Sequence, residues 1–484
     1  MKHVHLIGVG GSGLSAIALI LLERGYKVSG SDRQISPPAQ RLQTAGARIF
    51  IGHDAANIAG ADLVIRSSAI PDDNVEVRAA QNAGVPVLKR AEFLNQLTEG
   101  HQVIAVAGTH GKTTTTAMLA WIMVSYGLDP SFIVGSSSSN LGTNAHSGKG
   151  VYFVIEADEY DRMFLGLQPD IAIVTTVEHD HPDCFPTQKD FEQAFVEFVR
   201  GIKLGGKLVL CGEDPGAARL MKGAISRGIQ CIVYGVSSNG HEITSSISGL
   251  GYDYFACNIT RNRRGCFTFD AQDREGTISV EVALQVPGLH NVSNSLAAFA
   301  VADRLGLDME RVAKALSDYR GTERRFDIKD EVAGILIIDD YAHHPTEIKS
   351  TLAAARSRFP GRPLWIVWQP HTYSRTRTFI EDFVAAFDEA DHVVVTEIYP
   401  ARESPPEDGF SSKKVVEMML TRKTPNRYDI RFIPTLSMAR DLLLEELNSG
   451  DILLVLSAGD ADQMSAELFK LLKNRMPMSS TGRP

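Results

Sequence analysis

The sequence predicts an α/β protein of three domains, and three observations lead to this prediction. The chain has 484 residues, which is more than one hydrophobic core usually serves. Apolar runs that read as buried strands alternate with helical patterns over most of the chain, as in parallel α/β sheets. Two glycine-rich loops, at residues 8–13 and 108–111, each separate such a strand from a helix and expose the helix N-terminus.

Composition and charge narrow the class of protein. Hydrophobic residues make up 44% of the chain and charged residues 22%, which is ordinary for a soluble globular protein. The net charge is −9 and the pI is about 5.9, so we expect neither a nucleic-acid partner nor a membrane surface. The five cysteines are scattered and form no CxxC pair, which argues against a disulfide framework or a zinc site and favours a cytoplasmic location.

The first glycine-rich loop opens the N-terminal domain. GVGGSG at residues 8–13 fits the G-x-G-x-x-G pattern between a strand and a helical run. Asp32 ends the next strand, where a carboxylate can accept hydrogen bonds from ribose hydroxyls. Ser67 and Ser68 end a later strand, although they also fit a simple turn before Pro71. The pattern alone permits an NAD site, a site for another nucleotide, or a tight turn without a ligand.

The second loop, GTHGKTTTT at residues 108–116, opens the central domain. Its backbone N–H groups can hold an anion, Lys112 can reach terminal phosphates, and the Thr113 hydroxyl is placed for Mg²⁺. The usual pattern has a further glycine where this chain has Val106, so the match is partial. A Thr-rich helix cap is the alternative, but we interpret the stretch as a phosphate loop (P-loop) that handles ATP.

Two later strands of the central domain end in carboxylates and histidines. Residues 151–161 predict a strand that ends in EADEYD, and residues 170–185 predict one that ends in EHDHPDCF. Oxygen ligands and a histidine beside a phosphate loop suit Mg²⁺ with ATP better than they suit zinc. We therefore predict that Glu156 and His181 lie near the metal, whereas some of the other carboxylates are solvated loop charges.

The sequence pattern changes toward the end of the central domain. Short alternating runs at about 240–286 predict antiparallel strands, and residues 287–305 predict a loop that enters a helix. Asn291 and Asn294 lie one turn apart on that helix. Their amides can contact an adenine edge or can cap the helix, and both alternatives are open at this point.

The third domain begins after YRGTERRFD at residues 319–327, which we interpret as a hinge. Arg324 and Arg325 lie in this stretch, where a guanidinium can reach phosphates across a cleft. Strands then end in DDYAHHPTE and QPHTYSRT. Because every polar cluster falls at the carboxyl end of a strand, we predict that one edge of the sheet is functional. The tail from about Pro477 is predicted to be disordered.

Eight motifs, taken in chain order, resemble those of the Mur ligases of peptidoglycan synthesis. They are GVGGSGLS, GTHGKTTTT, EADEYD, EHDHPD, HNVSN, RRFD, DDYAHHPTE and QPHTYSRT. The resemblance implies a Rossmann-like N-terminal domain for a UDP-sugar, a central P-loop ATPase-type domain with a mixed sheet and helices for ATP and Mg²⁺, and a C-terminal Rossmann-like α/β domain for an amino acid. We place these domains at residues 1–98, 99–320 and 321–484.

The resemblance also implies roles for individual residues. Those expected to bind the UDP-sugar are Gly8, Gly10, Gly11, Ser12, Gly13, Asp32, Ser67 and Ser68. Those expected to bind ATP are Gly108, Thr109, His110, Gly111, Lys112, Thr113, Thr114, Asn291, Asn294, Arg325 and Asp340. The metal would be held by Thr113, Glu156 and His181. The expected catalytic residues are Lys112, Glu156, His181, His343 and Arg375, and His110, His343 and Arg375 would face the reacting carboxylate and amino acid.

The implied activity is ATP-dependent ligation of L-alanine to the carboxylate of UDP-N-acetylmuramate through an acyl phosphate. Several Mur relatives carbamylate a lysine in the helix at residues 190–202, which has no lysine here. This favours the alanine-adding branch, or else the branch that ligates a recycled tripeptide. Thr372 stands where some members have arginine. The resemblance further implies small-molecule substrates, a role in cell-wall biogenesis, cell shape and division, and a monomer or weak homodimer.

Two hypotheses from other classes of protein are also consistent with parts of the sequence. A nicotinamide-dependent oxidoreductase would explain the first glycine-rich loop but not the second. A binding module switched by ATP would explain the second loop but not the histidines and arginines of the third domain.

Overall fold

The computed structural model describes residues 2–237, 245, 249–422 and 429–475. Three β-sheets follow one another along the chain, each flanked by helices. The predicted three-domain α/β fold is confirmed, whereas the exact domain boundaries stay a prediction. The predicted disordered tail lies outside the described residues. All five cysteines are free, and within the described part of the chain no helix is long and apolar enough to cross a membrane.

The N-terminal sheet has five parallel strands in the order β3-β2-β1-β4-β5. Its strands are β1 (His3–Ile7), β2 (Lys27–Asp32), β3 (Arg48–Ile51), β4 (Leu63–Arg66) and β5 (Val87–Lys89). Its helices are α1 (Ser12–Glu23), α2 (Pro37–Thr44), α3 (Val75–Asn82) and α4 (Arg90–Thr98). The strand order reverses between β1 and β4, and open α/β sheets bind ligands at such a point. The glycine-rich loop follows β1 and the two serines follow β4, so both border this crevice.

The middle sheet has ten strands in the order β15-β14-β13-β12-β11-β10-β6-β9-β7-β8. The strands are β6 (Gln102–Ala107), β7 (Ser131–Ile133), β8 (Ala145–His146), β9 (Tyr152–Glu156), β10 (Ile171–Val174), β11 (Lys207–Cys211), β12 (Gln230–Val236), β13 (Tyr254–Arg261), β14 (Phe267–Asp273) and β15 (Ser279–Ala283). The helices are α5 (Lys112–Ser125), α6 (Gln188–Arg200), α7 (Pro215–Ile225), α8 (Leu289–Arg304) and α9 (Met309–Ser317).

The middle sheet contains both parallel and antiparallel strand pairs, so the predicted mixed sheet is confirmed. Strands β13, β14 and β15 pair antiparallel, as the sequence predicts, but β13 pairs parallel with β12. Part of the predicted antiparallel stretch, residues 240–244 and 246–248, lies outside the described residues. The predicted strand at 151–161 is too long, because β9 ends at Glu156 and Tyr160–Gly166 forms a 3₁₀ segment. Of the EADEYD carboxylates, Glu156 therefore ends the strand, and Asp158 and Glu159 lie in the loop that follows it.

The third sheet has six strands in the order β16-β17-β21-β18-β19-β20, all parallel except β16. The strands are β16 (Asp327–Val332), β17 (Ile335–Asp340), β18 (Leu364–Gln369), β19 (His392–Val395), β20 (Asp429–Phe432) and β21 (Ile452–Ser457). The helices are α10 (Pro345–Arg358), α11 (Tyr373–Thr378), α12 (Ile380–Val384), α13 (Ser412–Thr421), α14 (Leu436–Glu446) and α15 (Ala461–Arg475).

Apolar packing places the functional loops next to one another. Helices α5 and α8 share one buried core, in which Met118 and Ile122 of α5 and Leu296 and Phe299 of α8 are fully buried. Complete burial of such a side chain contributes roughly 1.5–3 kcal/mol, so the two helices are firmly held. Their N-termini, one after the phosphate loop and one carrying the two asparagines, are thereby fixed side by side.

Candidate active site

The glycine-rich loop of the N-terminal domain is shaped by its side-chain neighbours. Gly8 adopts φ +82°, which favours glycine. The N–H of Gly10 donates to Oδ2 of Asp32 at 2.8 Å, so this carboxylate fastens the loop to β2. A Cβ on Gly13 would lie 1.6 Å from Nη1 of Arg90, which means that the guanidinium rests on the start of α1. The third glycine thus makes room for an arginine that the sequence analysis did not single out.

A cavity of about 620 Å³, the large cavity, lies where the three domains meet. The predicted UDP-sugar residues that line it are Gly8, Gly11, Ser12, Gly13, Ser67 and Ser68. Gly10 and Asp32 lie behind the loop instead, bonded to each other. The predicted residues of the other two domains that line it are Thr109, Lys112, Thr113, Glu156, His181, Arg325, His343 and Arg375. The structure therefore brings most of the predicted residues into one space.

The phosphate loop encloses the side chain of Lys112. Gly108 adopts φ +142° and Gly111 φ +80°, and these conformations let the loop turn into α5. The Lys112 ammonium donates to the carbonyl oxygens of Gly108 at 2.5 Å and Thr109 at 3.1 Å. Val106, which stands in place of the usual extra glycine, is buried within β6. The partial motif match therefore reflects a strand residue and leaves the loop itself intact.

Glu159 ties Lys112 to His181. Its buried carboxylate lies 2.8 Å from the Lys112 ammonium and 3.3 Å from Nε2 of His181. Burial disfavours the charge on Lys112, but the carboxylates of Glu159, Asp158 and Glu156 together outweigh this effect and raise the pKa of the ammonium. For His181, burial is likewise outweighed, chiefly by Asp180 and Glu159, and its pKa is raised. Four charged groups are thus held together at the mouth of the phosphate loop.

The predicted metal residues are grouped in part. The Thr113 hydroxyl donates to Oε1 of Glu156 at 3.0 Å, and the N–H of Gly135 donates to Oε2 of the same carboxylate at 2.6 Å. Burial raises the pKa of Glu156, an effect that Lys112 opposes. A hydroxyl and a half-buried carboxylate beside a phosphate loop form a donor set that suits Mg²⁺. His181 lies apart from this pair, against Glu159.

Arg375 reaches from the third domain into the middle domain. Its Nε donates to Oδ1 of Asp180 at 2.7 Å, and both side chains are almost fully buried. Its other nitrogens lie 2.9 Å from Nδ1 of His371 and 3.1 Å from Nδ1 of His181. Burial lowers the pKa of His371 to about 2 and that of His343, also in this wall, to about 3. The two histidines are therefore uncharged beside a buried guanidinium.

A second cavity of about 210 Å³, the small cavity, lies between α5, α8 and α10. The predicted ATP residues that line it are His110, Gly111, Thr113, Thr114, Asn291, Asn294, Arg325 and Asp340. The Asn291 amide donates to the carbonyl of Pro287 at 2.7 Å, and the Asn294 amide donates to Oδ1 of Asn291 at 3.1 Å. Neither side chain accepts from the first N–H groups of α8, whose N-cap is Gly288. The capping alternative for the asparagines is thus wrong.

His110 of the phosphate loop lies between carboxylates of two domains. Its Nε2 is 2.8 Å from Oε2 of Glu178, and its Nδ1 is 3.1 Å from Oε1 of Glu347. Burial lowers the pKa of His110, but the hydrogen bonds with these two carboxylates outweigh it and raise the pKa to about 9. His110, Glu178 and His344 lie close enough to hold a metal ion. However, both nitrogens of His110 already meet carboxylates, as in an imidazolium bridge.

Besides Arg90, four acidic residues of the site escaped the prediction, and they share a feature. Glu159, Glu178, Asp180 and Glu347 are acidic residues within the quoted motifs whose partners lie far away in the chain. Their position in the motifs was the available signal. Glu159 and Glu178 pair with Lys112 and His110 on another loop of the middle domain. Asp180 and Glu347 pair across the middle and third domains. A sequence pattern shows neither kind of pairing.

Strained backbone marks the same region. Outside glycine, positive φ values occur at ten described positions, and four of these line the large cavity. They are His181, Arg324, Thr372 and Ala401. Each such residue costs of order 1–3 kcal/mol, and such residues cluster at functional sites. Thr372, which stands where some Mur ligases have arginine, therefore contributes a strained turn before α11.

Three family descriptions match successive parts of the chain. "Mur ligase family, catalytic domain" matches residues 3–102, "Mur ligase middle domain" matches residues 106–302, and "Mur ligase, glutamate ligase domain" matches residues 324–459.

Named proteins are similar along the whole chain. UDP-N-acetylmuramate–L-alanine ligase of Roseiflexus sp. (strain RS-1) is 41% identical, covering 98% of this chain and 100% of its own length. The ligase of the same name from Geobacter sp. (strain M21) is 40% identical, covering 98% of each chain. Among solved structures, UDP-N-acetylmuramate–alanine ligase from Thermotoga maritima has a TM-score of 0.80 at 28% identity, covering 98% of this chain and 100% of its own. A murein peptide ligase from Psychrobacter arcticus has a TM-score of 0.72 at 26% identity, covering 99% and 100%.

Proposed function

The chain belongs to the Mur ligase family, and from that premise we propose that it joins L-alanine to the carboxylate of UDP-N-acetylmuramate. The reaction is an ATP-dependent, amide-forming step of peptidoglycan precursor synthesis. One observation carries the assignment: the large and small cavities meet at Thr113, Arg325 and Glu347, beside the phosphate loop. A nucleotide in the small cavity can therefore present its terminal phosphate to a carboxylate in the large cavity.

The two substrates with phosphates belong at opposite ends of this junction. The glycine-rich loop before α1 offers backbone N–H groups and the Arg90 guanidinium to the diphosphate of the UDP-sugar. The small cavity offers the Asn291 and Asn294 amides to the adenine, and Asp340 lies in its wall. This arrangement supports a UDP-sugar, rather than NAD, as the ligand of the first loop.

The carboxylate of the UDP-sugar must be activated before an amine can attack it. A carboxylate does not acylate an amine directly, because oxide would have to leave. Transfer of the γ-phosphoryl group of ATP to the carboxylate gives an acyl phosphate, and the amine then displaces inorganic phosphate through a tetrahedral intermediate. Two anions approach each other in the first step, and the ammonium of Lys112 and the guanidinium of Arg325 stabilise the charge there.

Mg²⁺ is part of the proposal. The hydroxyl of Thr113 and the carboxylate of Glu156 are the residues that would hold it, and His181 with Glu159 would border a second position. When bound, the ion neutralises charge on the phosphates. The remaining contributions come from the chain itself: the loop amides orient the phosphates, and the closed domains exclude water from the acyl phosphate.

The amino acid is expected between Arg375 and the histidines of the third domain. The Arg375 guanidinium suits the carboxylate of L-alanine. Because burial lowers the pKa values of His343 and His371 to about 3 and about 2, these rings are neutral and do not repel an incoming ammonium group.

The tripeptide-adding alternative is the less favoured branch. The two relatives named above at about 40% identity are alanine ligases. Of the two solved structures, the alanine ligase has the higher TM-score, 0.80 against 0.72 for the murein peptide ligase. The deciding experiment measures phosphate release from ATP with Mg²⁺ and UDP-N-acetylmuramate, adding L-alanine, glycine, L-serine or L-Ala-γ-D-Glu-diaminopimelate in turn. Phosphate release that needs both the UDP-sugar and L-alanine supports the proposal. Release that occurs with the UDP-sugar and the tripeptide, but with none of the three amino acids, refutes it.

The proposal extends to where the enzyme acts and to its oligomeric state. We expect a cytoplasmic enzyme that acts on small molecules, as a monomer or weak homodimer. Sedimentation at several protein concentrations tests the assembly.

A further inference from the structure

Glu347 occupies the point where the two cavities meet. It lies in the first turn of α10, and together with Thr113 and Arg325 it lines both spaces. Thr113 comes from the phosphate loop side and Arg325 from the hinge, so Glu347 is the member that the body of the third domain contributes. Its side chain is only 11% exposed.

The Glu347 carboxylate is held rigidly and faces two cationic side chains. Oε2 accepts from the backbone N–H groups of His343 at 3.1 Å and His344 at 3.4 Å, which caps α10. Oε1 lies 3.1 Å from Nδ1 of His110 and 3.6 Å from Nη1 of Arg325. Because the cap fixes one oxygen, the other cannot follow His110 or Arg325 if they move away.

His110 is bound on its other side to the middle domain. A neutral imidazole can donate from only one nitrogen, yet Nε2 lies 2.8 Å from Glu178 while Nδ1 faces Glu347. The backbone of His110 is fixed as well, since its N–H donates to Oγ1 of Thr176 and its carbonyl accepts from Oγ1 of Thr175. The imidazolium thus connects the phosphate loop to the third domain.

Titratable groups from several elements surround the His110 ring. They are Glu178 after β10, His344 and Glu347 at α10, Asp214 at the start of α7 and His290 on α8. Of these, Glu178 and Glu347 make the hydrogen bonds.

We propose that Glu347 is a positioning residue for phosphoryl transfer, an inference that rests on the proposed function. When the third domain closes, its carboxylate holds the His110 imidazolium and the Arg325 guanidinium at the junction of the cavities. The γ-phosphoryl group crosses this junction, and cations fixed in advance stabilise its charge without reorganising during the reaction. Closure of the third domain therefore also completes the set of cations around the transferred phosphoryl group.

The test replaces Glu347 by glutamine, which keeps the shape of the side chain and an oxygen for the helix cap. We expect kcat to fall about 10- to 100-fold while KM for ATP and for the UDP-sugar changes less than about threefold. Glu331→Gln is the matched control: it removes a third-domain carboxylate that pairs with Arg362 at 3.1 Å on the surface, and its kcat should equal that of the wild type. Equal kcat for Glu347→Gln and the wild type would overturn the inference.

Two further measurements keep a structural effect apart from a positioning effect. NMR of ring-labelled His110 should show loss of its proton at lower pH in Glu347→Gln than in the wild type, which does not depend on turnover. An unchanged titration would overturn the inference. Secondly, His110→Asn and Glu347→Gln should be non-additive in kcat, because each breaks the same bridge. Additive losses would also overturn it. If the wild type itself released no phosphate with any acceptor, the proposed function would fail, whereas the NMR titration would still test the bridge.

Discussion

The buried ion pair between Asp180 and Arg375 makes a quantitative prediction about domain closure. The two side chains are 4% and 3% exposed, and Nε lies 2.7 Å from Oδ1. Asp180→Ala removes the anion and leaves a guanidinium that is buried whenever the third domain closes on the middle domain. An uncompensated buried charge of this kind costs about 3–5 kcal/mol. In an open form both groups are hydrated, so this free energy is lost from closure rather than from folding.

The magnitude follows from the conversion of about 1.4 kcal/mol per tenfold change in an equilibrium constant. The closed form should become roughly 100- to 4,000-fold less favoured in Asp180→Ala. We expect kcat to fall at least about 100-fold and small-angle scattering with both nucleotide substrates to show a larger radius of gyration. Circular dichroism and thermal unfolding of the free protein should stay close to the wild type.

The control and the refuting result are equally direct. Glu331→Ala breaks an exposed pair with Arg362, since Glu331 is 51% exposed, and such pairs contribute at most about 1 kcal/mol. Its kcat and scattering profile should match those of the wild type. If Asp180→Ala closed and turned over normally, the ion pair would not couple the two domains and the reasoning would be refuted.

Three further perturbations have defined outcomes. Gly13→Ala places a carbon 1.6 Å from Nη1 of Arg90, so calorimetry should show UDP binding weakened about tenfold, and full affinity would contradict the placement of the diphosphate. Asn294→Ala removes an amide that packs against Gly111 and should raise Kd for a fluorescent ATP analogue roughly 3- to 10-fold, whereas an unchanged Kd would place the adenine elsewhere. Burial raises the pKa of Asp339 from 3.8 to about 7, so the folded chain keeps a proton that the unfolded chain loses. Stability against urea should therefore decline between pH 4 and 7, and Asp339→Asn should flatten the decline; an equal decline in the variant would contradict this assignment.

The parts of the site that lie within one strand-loop-helix unit were predictable from the sequence. The glycine-rich loop and the phosphate loop each lie between an apolar strand and an apolar helix, and the structure places both as expected. Asn291 and Asn294 were predictable as a pair because one helical turn separates them. Local periodicity and glycine positions contain this information.

Contacts between domains were not predictable in the same way. Asp180 and Glu347 were visible only as charges within motifs, because their partners are set by how the sheets of two domains approach each other. Glu159 was visible only as a charge too, because its partner Lys112 lies on a different loop of the same sheet. The strand at 151–161 was overpredicted because the carboxylates after Glu156 follow the apolar run without a glycine or proline. Arg90 was missed because a lone arginine has no pattern, and only the space above Gly13 reveals it.

The central claim is that ATP activates the carboxylate of the UDP-sugar at the junction of the two cavities. The most direct measurement uses UDP-N-acetylmuramate with ¹⁸O in its carboxylate, together with ATP, Mg²⁺ and L-alanine, and analyses the released phosphate by mass spectrometry. An acyl phosphate requires that one carboxylate oxygen leaves with the phosphate, so we predict one ¹⁸O atom in each phosphate released. Amide product accompanied by unlabelled phosphate would contradict the account.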